Sequence, residues 1–169
     1  MPPLHALELL PDEAGRDAVR RDWQRLRDAG LPSQLDHAGA TNEPHVTLVA
    51  APAIGAAHEA AAGHVVGGLL PVEARAAALA LLGGTRVTLV RLVDVPDRLT
   101  AAVLDLRALV PDAQHPGWLP HVTLARRLAR ADVARALEVL GHEDVVLRLT
   151  GLRRWDPEAG VVRELSVGS

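Results

Sequence analysis

At 169 residues, with 49% apolar and 23% charged side chains, the chain has the profile of one globular domain with a core of its own. A formal net charge of −3 argues against a broad face for polyphosphate, and the lack of cysteine excludes a disulfide framework, a Cys-based zinc site and a thiol nucleophile. No apolar run approaches the roughly 20 residues that cross a bilayer, and the first residues reach Glu8, Asp12 and Glu13 without the basic start of a secretory signal, so a cytoplasmic location is expected.

Leu4 to Leu10 reads as a strand. A helix follows from about Asp12 to Ala29: Asp12 suits the N-cap, Val19, Trp23 and Leu26 form one apolar face, and Gly30 and Pro32 stop it. A polar loop with His37 and Asn42 leads into the strand PHVTLVA, 44–50. An alanine-rich helical stretch near Ala56 to Val66 precedes a strand from Val72 to Leu82, and Gly83-Gly84 reads as a hairpin turn. The second half opens at Thr85 with the apolar strand RVTLVRLV. Its helix runs from about Pro96 to Val110, with Leu99, Val103, Leu106 and Val110 on one face; Pro96 suits a first helical position, and Pro111 ends the segment. The loop 111–119, with His115 and Trp118, delivers the strand PHVTLAR, 120–126. A short helix around Asp132 to Leu140 stops at Gly141, and a strand runs from Val145 to Leu152. Finally, DPEAG at 156–160 reads as a turn into a last strand, Val161 to Val167.

The order strand–helix–strand–helix–strand thus occurs twice, in halves of about 1–84 and 85–169. Each half alone would have a marginal core. The expectation is therefore one α+β domain over 1–169 with two similar lobes sharing a cleft.

The pentapeptide Pro-His-Val-Thr-Leu occurs in both halves, with its histidine at His45 and at His121. Side chains alternate along a strand, so His45 and Thr47 share one face while Val46 and Leu48 turn to the other. His121 and Thr123 are related in the same way. A lone histidine on a strand is usually packed or solvated, and Val-Thr-Leu recurs at 87–89 without one. Repetition of the whole pentapeptide at equivalent places of an internal repeat is the stronger signal.

These paired motifs resemble the two His-x-Thr-x signatures of the 2H phosphoesterases, in particular the bacterial branch called 2′-5′ RNA ligases. The resemblance covers nearly the full chain. It implies two pseudo-symmetric lobes of antiparallel sheet with helices on the outside, enclosing a central cleft that holds both motifs. It implies further that His45 and His121 are catalytic, with His45 the proton donor and His121 the acceptor, and that Thr47 and Thr123 hold phosphate oxygens. Arg126 is implicated as a phosphate-binding cation, although strict alternation from His121 aims it away from the cleft. Activity is expected on 2′,3′-cyclic phosphates or 2′-5′ phosphodiesters, at an RNA terminus or on a small nucleotide, with reversible 2′-5′ joining of RNA ends a further family activity.

Two histidines on opposing lobes suit an in-line displacement at phosphorus that needs no metal and no cofactor. His37, Asn42, His115 and Trp118 are expected at the cleft border. Trp23, Trp118 and Trp155 are the only aromatics of the chain, so an end or a small fragment is a better fit than an extended nucleic-acid track, and a monomer is expected. A metal-dependent hydrolase is disfavoured, because the motif partner is Thr rather than a carboxylate and no HExxH spacing occurs. An inactive module that only binds a nucleotide or RNA end is the alternative reading.

Overall fold

The computed structural model describes residues 3–165 and follows the repeat seen in the sequence. The first half forms β1 (His5–Pro11), α1 (Glu13–Asp28), β2 (Val46–Ala51), α2 (Ala56–Val65) and β3 (Val72–Gly83). The second forms β4 (Arg86–Asp94), α3 (Asp97–Leu109), β5 (His121–Ala129), α4 (Val133–Leu140) and β6 (Val145–Asp156). A short β7 (Val161–Glu164) pairs with β6; the end of the expected last strand, Ser166 and Val167, lies outside the described residues.

Local chemistry sets the helix ends. The Asp12 carboxylate accepts from the Gly15 N–H at 2.9 Å and caps α1, whose first turn holds Glu13 and whose last turn holds Arg25 and Arg27, complementing the helix dipole. Gly30 then turns the chain at φ +70°, where a side chain would be disfavoured. Pro96 is the N-cap of α3 rather than its first helical residue, with ψ at 144°. The helix α4 begins after Asp132, because residues 130–132 form a separate 3₁₀ turn.

All strands pair antiparallel in one seven-stranded sheet of order β2-β1-β6-β3-β4-β5, with β7 beside β6. One wing is β2-β1-β6 and the other is β5-β4-β3, joined where β6 meets β3. Each sequence half therefore lends its third strand to the other half's wing. The helices interlock in the same sense: α1 packs on α4 and β5, and α3 packs on α2 and β2. Leu7, Leu9, Leu26, Leu48, Leu89, Leu106, Leu124 and Leu149 are fully buried in a core drawn from both halves.

Three arginines inside this core were not legible as core residues. β6 runs to Asp156 rather than stopping at Leu152, and Arg153 and Arg154 within the extension are buried in ion pairs. Arg91, in the middle of β4, is 1% exposed; its Nε donates to Asp22 Oδ2 on α1 at 2.7 Å, and its Nη1 donates to the Glu143 carbonyl at 3.1 Å. Removing one partner of a buried pair costs about 3–5 kcal/mol, whereas apolar replacement of both is often neutral. Asp22→Ala is therefore expected to lower the free energy of unfolding in chemical denaturation by about 3–5 kcal/mol, and Asp22→Leu with Arg91→Met to recover most of it. Wild-type stability in Asp22→Ala would contradict this role for the pair.

Candidate active site

The two motif strands, β2 and β5, are the two edges of the sheet, and their backbones approach one another. An edge strand leaves carbonyls unpaired, and here donors from the other half take them. Trp23 on α1 donates its indole N–H to the Thr123 carbonyl at 3.0 Å. Arg107, at the corresponding place on α3, donates to the Leu48 carbonyl at 2.8 Å. From the loop 111–119, the Trp118 indole donates to the Thr47 carbonyl at 2.9 Å and the Gln114 N–H to the Ala50 carbonyl at 2.7 Å. Arg107 also grips that loop through the carbonyls of Gln114 and His115, at 2.9 and 2.6 Å. Burial lowers the pKa of the Arg107 guanidinium from its ordinary value, yet an arginine keeps its charge throughout the physiological range. The loop needs such clamps, because Asp112 and His115 both sit at positive φ, 56° and 62°, a conformation that costs of order 1–3 kcal/mol per residue.

The two histidines are held by the same contact. His45 Nδ1 lies 2.7 Å from the Glu43 carbonyl, and His121 Nδ1 lies 2.7 Å from the Leu119 carbonyl, in each case the residue two positions earlier. A carbonyl can only accept, so Nδ1 carries the proton in both rings and Nε2 is left for other partners. Both rings are half-buried, as are Thr47 and Thr123 on the same faces.

A bulge recurs in both strands just after the threonine. Thr47 pairs with Glu8 but Val49 with Leu7, and Thr123 pairs with Val90 but Ala125 with Leu89. Leu48 and Leu124 are the extra residues, and the bulge reverses the alternation beyond them. Arg126 consequently returns to the face of His121 and Thr123, where unbroken alternation would have turned it away. Its side chain is exposed. The equivalent place on β2 is Ala50, so only one wing presents a cation there.

The wings differ more deeply in the strand behind each motif. Glu8 on β1 lies opposite Thr47, and Arg153 on β6 lies opposite Glu8. Arg153 Nε donates to Glu8 Oε2 at 2.7 Å, and Glu8 Oε1 stands 3.4 Å from His45 Nε2. In the other wing the corresponding row is Thr123, Val90 and Ala80, with no ionisable group. Glu8 and Arg153 escaped the sequence reading, although a single acid inside the apolar strand HALELLP was the available signal.

Of the expected border residues, Asn42 is committed to its own loop: its amide donates to the carbonyls of Gln34 and His37 at 2.8 and 3.0 Å. That loop starts from a turn in which the Ser33 N–H donates to Asp36 and holds its carboxyl below the usual range. His37 and His115 are exposed, and half-buried Trp118 donates its indole N–H to the first motif and packs on the core, which makes it a clamp between the two halves. Among the described residues, His5, Asp156 and Glu158 form the one group of three potential metal ligands, all within 4.8 Å. The group is poorly suited to a cation: Arg154 Nη2 donates to His5 Nδ1 at 2.6 Å, and the Asp156 carboxylate accepts from the Ala159 and Glu158 N–H groups and from Arg154. A cavity of about 450 Å³ opens between α1 and residues 143–148, and neither motif lines it. No helix among the described residues is long and apolar enough to cross a membrane.

Comparison with curated protein sequences finds no match. In structure the chain is similar to Usb1 of Kluyveromyces marxianus, with a TM-score of 0.57 and 14% identity over 97% of this chain and 98% of that one. It is also similar to a protein described as a phosphoesterase, with a TM-score of 0.50 and 14% identity over 98% and 95%. At that identity the likeness speaks for the fold, and it bears out the α+β architecture expected from the repeat. A family model, that of the 2′-5′ RNA ligase superfamily, matches residues 15–166, from the start of α1 past β7 and across both motifs. A match of that extent makes the chain a member of the 2′-5′ RNA ligase superfamily.

Proposed function

We propose that this single bilobal domain is a phosphodiesterase that opens 2′,3′-cyclic phosphates or cleaves 2′-5′ phosphodiesters by acid/base catalysis between His45 and His121. The observation that carries the reading is the duplicated lock on the two imidazoles, Nδ1–H donating to the carbonyl two residues back, which leaves an Nε2 in each motif for proton transfer. The substrate is an RNA end or a small nucleotide met by a monomer, with no extended nucleic-acid track.

In this reaction His121 Nε2 takes a proton from water as the water oxygen bonds to phosphorus. The opposite P–O bond breaks, and the departing ribose oxygen takes the proton of His45 Nε2. The products are a phosphomonoester and a free hydroxyl, and the two histidines exchange protonation states. With an RNA 5′-hydroxyl in place of water, the same steps join two ends: His121 takes the hydroxyl proton as the 5′-oxygen bonds to phosphorus, the P–O3′ bond breaks, O3′ takes the proton of His45, and a 2′-5′ linkage remains. An imidazole has an ordinary pKa of about 6.5, so both forms are at hand near neutrality. Thr47, Thr123 and Arg126 donate to the non-bridging oxygens, where negative charge builds up. None of these steps calls on a metal ion or a cofactor.

Hydrolysis of uridine 2′,3′-cyclic phosphate, followed by mass spectrometry, is expected to proceed in EDTA. Loss of turnover on chelation with recovery on zinc or manganese would overturn the metal-free scheme, and binding without turnover would leave a recognition module.

A variant series tests the residues. His45→Ala and His121→Ala are each expected to lose about 10²–10⁴-fold in kcat/KM, with the double variant losing far less than the product because the two act as a unit. Thr47→Ala and Thr123→Ala, each deleting a hydrogen bond to a charged group worth about 1.5–3 kcal/mol, are expected to lose roughly ten- to a hundredfold. The wild-type profile of kcat/KM against pH is expected to be bell-shaped, one limb from each histidine. A folded single histidine variant with near-normal turnover would refute the mechanism.

A further inference from the structure

The two motifs are chemically identical, yet the proposed reaction needs one histidine protonated and the other neutral at its start. We infer that Glu8, held by Arg153, is the positioning residue that assigns these roles, by making His45 the proton donor. The inference rests on the proposed phosphodiesterase reading.

The argument begins with the two ring nitrogens of His45. Nδ1 faces the Glu43 carbonyl at 2.7 Å, and Nε2 faces the Glu8 carboxylate at 3.4 Å. The Glu43 carbonyl takes the Nδ1 proton, and the Glu8 carboxylate stands beside Nε2 at ion-pair distance without a hydrogen bond, so its charge favours the doubly protonated ring through space. Glu8 is 5% exposed, so water screens its charge weakly, and Arg153, 4% exposed, fixes the other carboxylate oxygen at 2.7 Å. Arg153 is itself anchored, through Nη2 to the Thr41 carbonyl at 3.3 Å, in the loop that precedes the first motif. The carboxylate therefore cannot swing away from the ring without leaving a buried guanidinium unpaired.

The distance matters as much as the pairing. At 3.4 Å the Glu8 contact is longer than a normal N–H···O hydrogen bond of 2.7–3.2 Å. Glu8 thus favours the charge of the ring without holding its Nε2 proton, which stays free for a departing oxygen. Other charged groups around His45 do not duplicate the effect. The Glu43 carboxylate is taken by Arg20 and Arg16 of α1, at 2.8 and 3.8 Å, and neighbouring β5 carries no carboxylate, its ionisable residues being His121, Arg126 and Arg127. His121 makes the same Nδ1 contact, but Val90 and Ala80 occupy the places of Glu8 and Arg153, and no carboxylate among the described residues pairs with its ring. That leaves His121 the role of the base.

The test separates proton donation from mere structure through the leaving group. A ribose oxygen needs a general acid, whereas p-nitrophenolate departs without one. Glu8→Gln is expected to lower kcat/KM on uridine 2′,3′-cyclic phosphate about tenfold or more, within the range of a general-acid contribution, and to leave a p-nitrophenyl phosphodiester nearly unaffected. Glu8→Leu with Arg153→Met, which removes the buried pair together and guards against misfolding of the single variant, is expected to show the same selectivity. Histidine ¹⁵N spectra near neutral pH supply a readout that does not depend on turnover: two ring protons on His45 and one on His121 in the wild type, and one on each in both variants. Equal losses on the two substrates, or a His45 charge state indifferent to Glu8, would overturn the inference. A wild-type protein inactive on every phosphodiester would instead sink the functional reading, with the spectra still deciding whether Glu8 sets the state of His45.

Discussion

The arrangement of this site depends on one short hydrogen bond made twice, from histidine Nδ1 to the carbonyl two residues earlier. It fixes the tautomer and the ring plane together. The residue that accepts lies in the approach to the strand, so the conformation of that approach becomes part of the chemistry. Glu43 belongs to the loop stapled by Asn42, and Leu119 to the loop gripped by Arg107 and Trp118. Apart from the proline that follows each accepting residue, Pro44 or Pro120, the two loops share no sequence pattern, yet they deliver their carbonyls at the same distance.

A second constraint follows from placing the motifs on edge strands. An edge is open to a substrate on one side, but its unpaired carbonyls invite strand addition. The fold closes those carbonyls with Trp23 and Arg107, each carried by the long helix of the opposite half, and with the loop before the second motif. Exchange of β3 and β6 between the wings works to the same end. Neither half can form its own wing alone, so the two motifs are positioned by one cooperative core rather than by a hinge between lobes.

Much of this was legible in the sequence, because a repeated pentapeptide on apolar strands speaks through spacing alone. The order of elements, the caps at Asp12 and Gly30 and the shared face of His45 and Thr47 all follow from local rules. What was not legible depends on pairing across strands. The bulges at Leu48 and Leu124 are invisible in a run of apolar residues, and the second of them decides which face Arg126 takes. Arg91, Arg153 and Arg154 resemble surface residues until Asp22, Glu8 and Glu59 are brought beside them from distant parts of the chain. Trp118 is expected only at the cleft border, and its indole N–H on the first motif becomes visible once the two halves are brought together. The difference between the wings, Glu8 and Arg153 against Val90 and Ala80, exists only in the register of the sheet.

On the proposed reading, one substituted row in a duplicated scaffold assigns the two histidines their roles. Two equal histidines would leave donor and acceptor interchangeable, and a carboxylate behind one of them breaks that symmetry within an otherwise shared scaffold. The most direct measurement of the central claim, two histidines acting on opposite sides of one phosphorus, is a crystal structure with uridine 2′,3′-vanadate, whose five-coordinate centre imitates the displacement. The account predicts apical oxygens within hydrogen-bond distance of His45 Nε2 on one side and His121 Nε2 on the other, with the equatorial oxygens on Thr47 and Thr123. Vanadate bound away from the motifs, or met by only one of the two rings, would contradict it.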